Sequence, residues 1–226
     1  MQKLTGIKKA IFERRSVRGY LKKNVPKKII KNIFHIAQRA PSNANIQPWY
    51  VYVASGETKK RIEKKLVSKV KKKIPTSSDY YYPKNFKFNM SYLMRQVECA
   101  KELYDNMGVK RDDKIARENA YLRNYHMYDA PHVCFVGMYE KFGPAVAIDV
   151  GGYIQTLMLA MNSYGISSCA QATLRNYPNI IRKEFNIEKS IKILVGISFG
   201  YEDKSVLANK TRINRADIEE NVSFKF

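Results

Sequence analysis

The sequence predicts a mixed α/β or α+β fold in which helices cover a small central sheet, and three observations support this. Short apolar runs rich in β-branched and aromatic residues, "WYVYVAS", "APHVCFVGMY" and "IKILVGISFGY", are spread along the chain. Between them lie segments whose apolar residues recur at i, i+3, i+4 and i+7, the helical period. No repeat, low-complexity linker or composition break divides the 226 residues, so a single domain spanning 1–226 is expected.

The elements follow in order. Pro26 opens a helix, "KKIIKNIFHIAQRA", in which Ile29, Ile30, Ile33, Phe34 and Ala37 share one face and which must stop before Pro41. "WYVYVAS" is the first strand, and Ser55 then stands where an N-cap would start the lysine-rich helix "KKRIEKKLVSKVKKKI". Ile62, Leu66 and Val70 give that helix an apolar stripe, with lysines on its other sides. Residues 75–88, "PTSSDYYYPKNFKF", carry aromatic weight without period and are expected to form a mobile flap within a lid region of about 75–125. Tyr80, Tyr81 and Tyr82 are open to reading as gate, core or surface. Helices are expected over about 89–107 and 111–125, followed by "APHVCFVGMY" as a buried strand. "AVAIDVGGYIQTLMLAMNSYG" is apolar nearly all round, as a buried helix is. Gly151 and Gly152 cost it about 1 kcal/mol each, and close approach of another backbone or a flat ligand would offset that. "GISSCAQATL" reads first as a simple connector, or else as a run of small residues whose backbone N–H groups face a ligand. "IKILVGISFGY" is the last strand, ahead of a polar tail with Arg212 and Arg215.

Composition excludes several classes. Forty-one Lys and Arg against twenty Asp and Glu give +21, which draws anions to the surface whatever the function. No zinc-finger spacing, RNP-like motif or helix-turn-helix signal accompanies the charge, so nucleic acid is not the expected partner. The polar start and the lack of a long apolar run or a leader point to a soluble, cytoplasmic protein with no membrane partner. Cys99, Cys134 and Cys169 are odd in number and far apart, and His35, His126 and His132 have poor ligand spacing. No metal site is expected.

Three clusters remain. "FERRSVRGY" places Arg14, Arg15 and Arg18 around Ser16. A helix C-terminus explains one such arginine, but a hydroxyl between guanidinium forks suits a phosphate monoester. "APSNANIQPWYV" is either a polar turn or a loop whose amides and hydroxyls meet the edge of a heterocycle. "GISSCAQATL" is the third.

With "DVGGYIQTLMLAMNSYGISSCAQATL" in the second half and "GISFGYEDKSVLANKTRINRADIEENVSF" at the end, these motifs resemble, in order and over nearly the whole chain, the FMN-dependent nitroreductase family, and most of all its nitrobenzoate-reductase-like branch. The resemblance implies an intertwined homodimer with two FMN sites at its interface. Arg14, Ser16 and Arg18 would hold FMN, with Arg15 counted among the cofactor contacts. Arg215 would close on the phosphate, and Arg212 is a further phosphate candidate. Pro41, Ser42, Asn43 and Asn45 would reach the partner's flavin, and the Gly-Gly helix would line the interface. Ala170, Gln171 and Ala172 would lie over one flavin face, with the Ala172 amide directed at N5 and Arg18 tuning the reduced flavin. The branch often has proline where Ala170 stands and other small residues where Asn43, Ala44 and Ile46 stand, differences that bear on the substrate.

The implied activity is ping-pong hydride transfer from NADH or NADPH through FMN to a small electron-poor acceptor such as a nitroaromatic or quinone. No side chain is expected to act as an obligatory acid, base or nucleophile. The alternatives are another reaction on the same fold, such as dehalogenation or ene reduction, and a non-enzymatic basic protein that binds polyanions.

Overall fold

Strict alternation along one strand organises the molecule. The structure, a computed structural model, describes residues 6–80 and 90–226. Strand β2 (His132–Tyr139) is buried along nearly its whole length. Its Val133 and Phe135 face one apolar cluster, while Cys134, Val136 and Met138 face another on the opposite side. The sheet is therefore covered on both faces.

Four strands form it, in the order β1 (Tyr50–Ser55), β2, β4 (Ile191–Gly200) and β3 (Ser167–Gln171), every pair antiparallel. One face packs on α2 (Lys27–Ala37) and α6 (Pro144–Ser163), through Ile33, Ala37, Val150, Tyr153, Leu157 and Met161. The other packs on α3 (Gly56–Lys71) and α7 (Pro178–Phe185), through Ile62, Leu66 and Ile181. The stripes expected for α2 and α3 are the faces that are buried, and Val70 packs at the margin.

The remaining helices are α1 (Gly6–Glu13), α4 (Met90–Asn106) and α5 (Lys114–Leu122). Within the segment expected to form a flap, the described residues 77–80 depart from that role, and residues 81–88 lie outside the described residues. Ser77 N–H donates to the Asn176 carbonyl at 2.9 Å, Ser78 is buried, and Asp79 bonds both Arg182 at 2.5 Å and the Ile193 amide at 2.8 Å. Tyr80 packs against the core. Residues 77–80 are thus fastened to α7 and β4, whereas Tyr81 and Tyr82 lie outside the described residues.

Three further corrections concern single elements. "GISSCAQATL" is no connector: its centre is edge strand β3, with Ser167 opposite Gly200 and Gln171 opposite Gly196. Ser55 sits at the N-cap of α3, but its hydroxyl makes no cap and instead meets His132 Nδ1 at 2.5 Å. Helix α6 is long and apolar enough to cross a membrane, contrary to the expectation from its sequence, yet Val150, Tyr153, Leu157, Ala160 and Met161 pack it into the core. Its other side is bare. Ile148 is 74% exposed, and among the described residues nothing beyond the helix's own backbone comes within 4 Å of a Cβ built on Gly151 or Gly152.

Candidate functional site

The arginine cluster is built on a sheet edge. After α1 the chain turns extended and runs beside β3, with Ser16 bridging Ser168 in parallel and Val17 N–H donating to the Ser168 carbonyl at 3.1 Å. Extended backbone alternates its side chains, so Val17 is buried while its neighbours Ser16 and Arg18, like Arg14 before them, are only half-buried; the burial of Tyr20 comes instead from the contacts of its hydroxyl. The Tyr20 hydroxyl fixes the segment, its single proton shared between the carbonyls of Val17 at 2.8 Å and Ser198 at 3.1 Å.

The C-terminal tail closes over this edge. A Cβ on Gly19 would stand 2.6 Å from the Val206 side chain, so glycine is what lets the tail come so near. Asn209, buried, then staples the two segments together. Its Oδ1 accepts from the Arg18 amide at 2.6 Å, and its Nδ2 donates to the carbonyls of Gly19 at 2.9 Å and Asp203 at 2.8 Å. Beyond it, Arg212 donates to the Asn209 and Thr211 carbonyls at 2.9 Å, and Arg215 donates to those of Ile213 at 3.0 Å and Asn214 at 3.1 Å.

The result is positive charge without compensation. Arg14, Arg18, Arg212 and Arg215 have no acidic partner among the described residues. Burial, and then repulsion from Arg215, hold the Arg14 pKa below its ordinary value. Two cations brought together without an anion form an arrangement that can accept a dianion such as a phosphate. Arg15 does not belong to the set: its guanidinium is ion-paired with Glu202, next to the Tyr20–Glu202 bridge. The residue counted with the anion cluster is therefore a strut.

Beneath the arginines lie Cys169 and Tyr128, neither singled out from the sequence. Burial pushes the Cys169 thiol up, against the opposing pull of Arg18, the Ser16 hydroxyl and Arg14. Burial likewise raises the Tyr128 phenol, with Arg18 again pulling the other way. Tyr128 belongs to a turn, Met127–Asp129, whose three residues all have positive φ, at 54°, 53° and 65°. Such strain persists only where the surroundings over-determine it, and here Asn124 accepts from the Tyr128 hydroxyl at 2.7 Å.

Strand β3 carries the small residues expected over a ligand face. Ala170 and Ala172 are exposed, but the Gln171 side chain is turned away: its Nε2 donates to the Asn124 carbonyl at 2.9 Å, and its Oε1 accepts from Ser198 Oγ at 2.5 Å. Burial on the core side removes that amide from any role at the surface, leaving Gln171 only its main chain there. A Cβ on Gly196 would stand 2.7 Å from Leu174, so this glycine lets the turn that begins at Ala172 lie close on β4.

The loop after α2 stands apart from this cluster. Its hydrogen bonds run within itself and to α6. Gln47 N–H donates to Ser42 Oγ at 2.9 Å, Gln47 Nε2 to the Asn45 carbonyl at 3.1 Å, and Asn43 N–H to Asp149 at 3.1 Å. Pro41, Asn43 and Asn45 are exposed, and Ala44, Asn45 and Gln47 hold positive φ of 47°, 57° and 47°. A loop this strained and this exposed is shaped for contact rather than for packing.

The nitroreductase family model matches residues 11–201, which takes in Arg14, Ser16 and Arg18, the strained loop and β3 but ends before Asn209, Arg212 and Arg215. The chain belongs to the nitroreductase family. It is 36% identical over 211 residues to nitroreductase NfnB of Mycolicibacterium smegmatis, covering 93% of this chain and 89% of that protein. It is 32% identical over 213 residues to a 4-nitrobenzoate reductase of a Nocardioides species, covering 93% and 86%. These relatives place the chain in the nitrobenzoate-reductase-like branch. The crystal structure of FMN-dependent NfnB from Mycobacterium smegmatis in complex with NADPH superposes with a TM-score of 0.92 at 35% identity, covering 96% of this chain and 97% of that one. The fold is nitroreductase-like.

Proposed function

We propose that the protein is an FMN-dependent NAD(P)H oxidoreductase that reduces nitroaromatics and similar electron-poor small molecules, acting as a cytoplasmic homodimer. The observation that carries this reading is the unpartnered set Arg14, Arg18 and Arg215 around Ser16, built beside the exposed face of β3. FMN supplies the redox chemistry when bound, taking a hydride from the nicotinamide and delivering it to the acceptor. Arg14 and Arg215 hold its phosphate by charge-assisted hydrogen bonds, with Ser16 as an uncharged donor and Arg212 at the margin. Arg18, whose amide is fixed by Asn209, would offset negative charge on the reduced flavin, and the Ala170–Ala172 main chain, with the Ala172 amide, would contact its ring. Cys169 is kept as a neutral thiol by burial and needs no reactive role.

The second half of each site comes from the partner subunit in this reading. Pro41, Ser42, Asn43 and Asn45 project from a loop tied to α6, whose bare side at Ile148, Gly151 and Gly152 is open to another chain. The decisive experiment is anaerobic: the purified yellow protein is reduced with NADPH and then reoxidised with 4-nitrobenzoate. Stoichiometric bleaching and recovery, with a dimer mass by light scattering, are expected. A protein that binds no FMN, or a monomer that holds FMN stably, overturns the proposal.

A further inference from the structure

The two flanks of α3 treat their cations differently. On one flank Arg61 and Lys65 converge on Glu184 of α7, at 2.7 and 3.1 Å, and hold its carboxyl below the usual carboxylate range. On the other flank lies a cavity of about 580 Å³ whose rim is Lys60, Lys64, Lys71 and Lys72 and whose floor includes Glu63 and His126. Glu63 adds little negative charge there, because Lys59 at 2.6 Å and the His126 ring at 2.8 Å both bind it. Lys60 is paired with Glu57 at 2.7 Å. Lys64, Lys71 and Lys72 have no acidic partner among the described residues.

The shape of this charge narrows the ligand. From Lys64 to Lys72 the helix rises about 12 Å, too far for one phosphate or carboxylate to meet all three ammonium groups. Each lysine is a mobile point charge with no planar fork to match, so the row suits a ligand that carries anionic oxygens all along its length. Val67 is the one apolar residue and His126 the one ring among the lining residues, so the groove offers a nucleobase little to stack on. We propose that this groove is a binding site for a linear polyphosphate chain, separate from the arginine edge.

The test must separate the groove from the general pull of a +21 protein. Two charge-matched triple variants of the FMN-loaded protein do so: Lys64→Gln/Lys71→Gln/Lys72→Gln in the groove, and Lys27→Gln/Lys28→Gln/Lys31→Gln on the exposed side of α2. Binding of medium-chain inorganic polyphosphate is measured by titration over a range of salt. The groove variant is expected to bind about tenfold or more weakly, with a salt slope lower by about two, while the α2 variant loses no more than about threefold. Bound FMN and its reduction by NADPH stay unchanged in both, which shows that each variant is folded. Equal losses in the two variants, or no loss in the groove variant, overturn the proposal. So does a thymidine oligonucleotide of equal charge that displaces polyphosphate from the groove at equal concentration, because the site would then not distinguish a polyphosphate chain from any other polyanion.

Discussion

The arginine edge and the lysine groove are both strongly cationic, yet they are built in opposite ways. At the edge, Arg14 and Arg18 sit half-buried on extended backbone, Arg212 and Arg215 lie exposed in the tail, and the guanidinium groups of Arg18, Arg212 and Arg215 are each held by nearby main-chain carbonyls. In the groove, they sit on exposed turns of one helix, with long side chains free in water. Net charge counts the two regions equally, whereas placement separates them. A fixed guanidinium has already lost the freedom that a solvated lysine must give up on binding, so the edge suits one compact anion held tightly and the groove an extended one held loosely.

The largest effect expected from this contrast is at the edge. Arg14→Ala combined with Arg215→Ala removes both phosphate partners at about 1.5 to 3 kcal/mol each, so FMN affinity falls by a factor on the order of a hundred or more. Equilibrium titration by flavin fluorescence measures it. Undiminished affinity would show that the cofactor is held elsewhere and that the edge is a surface like any other.

Acid comes next, because one histidine joins the two regions. His132 Nε2 accepts from the Val25 amide at 2.9 Å, just beyond the arginine segment, and its Nδ1 meets Ser55 at the start of α3. Burial holds its pKa down to about 4, from an ordinary value of 6.5. The folded protein therefore resists a proton that the unfolded chain accepts. Stability is full above about pH 6.5 and falls as pH drops toward 4, by up to about 3 kcal/mol. Urea unfolding at pH 7 and 4.5 should show that loss in the parent, and His132→Gln, already weaker at pH 7, should show a smaller one.

A smaller effect is expected at the staple. Asn209→Ala leaves the buried Arg18 amide without its acceptor, at a cost of about 1 to 3 kcal/mol in stability. FMN affinity should fall with it, and Asn209→Asp, which keeps an acceptor, should restore part of both. If stability falls while FMN affinity holds, the tail and the edge act independently.

The smallest effect completes the comparison. Lys64→Gln should leave FMN affinity unchanged and shift unfolding by no more than about 0.5 kcal/mol, as exposed substitutions do. A larger change in either measurement would mean that the groove is part of the scaffold.

Much of the fold was legible because it rests on periodicity. Ile33, Ala37, Ile62 and Leu66 announce the buried faces of α2 and α3, and "HVCFVGMY" announces a central strand. Strand β3 was not legible, since "SSCAQ" lacks the β-branched residues that mark strands and owes its form to pairing with β4. The site divides in the same way. Arg14, Ser16 and Arg18 stand out by their clustering, and family resemblance pointed to Arg215. Asn209, Cys169 and Tyr128 carry no local signal, because a buried amide in a tail and a strained turn show their purpose only once distant segments meet. Arg15 looked like its neighbours until Glu202, far along the chain, was seen to engage it.

That meeting of distant segments has a consequence for how the protein is made. Arg14 leaves the ribosome early, and Arg215 follows about two hundred residues later, which at ordinary elongation rates takes roughly ten to forty seconds. Until Asn209 emerges, nothing staples the edge, so the nascent chain has no finished place for a phosphate. Under the proposed function, cofactor loading is therefore a late event in biogenesis.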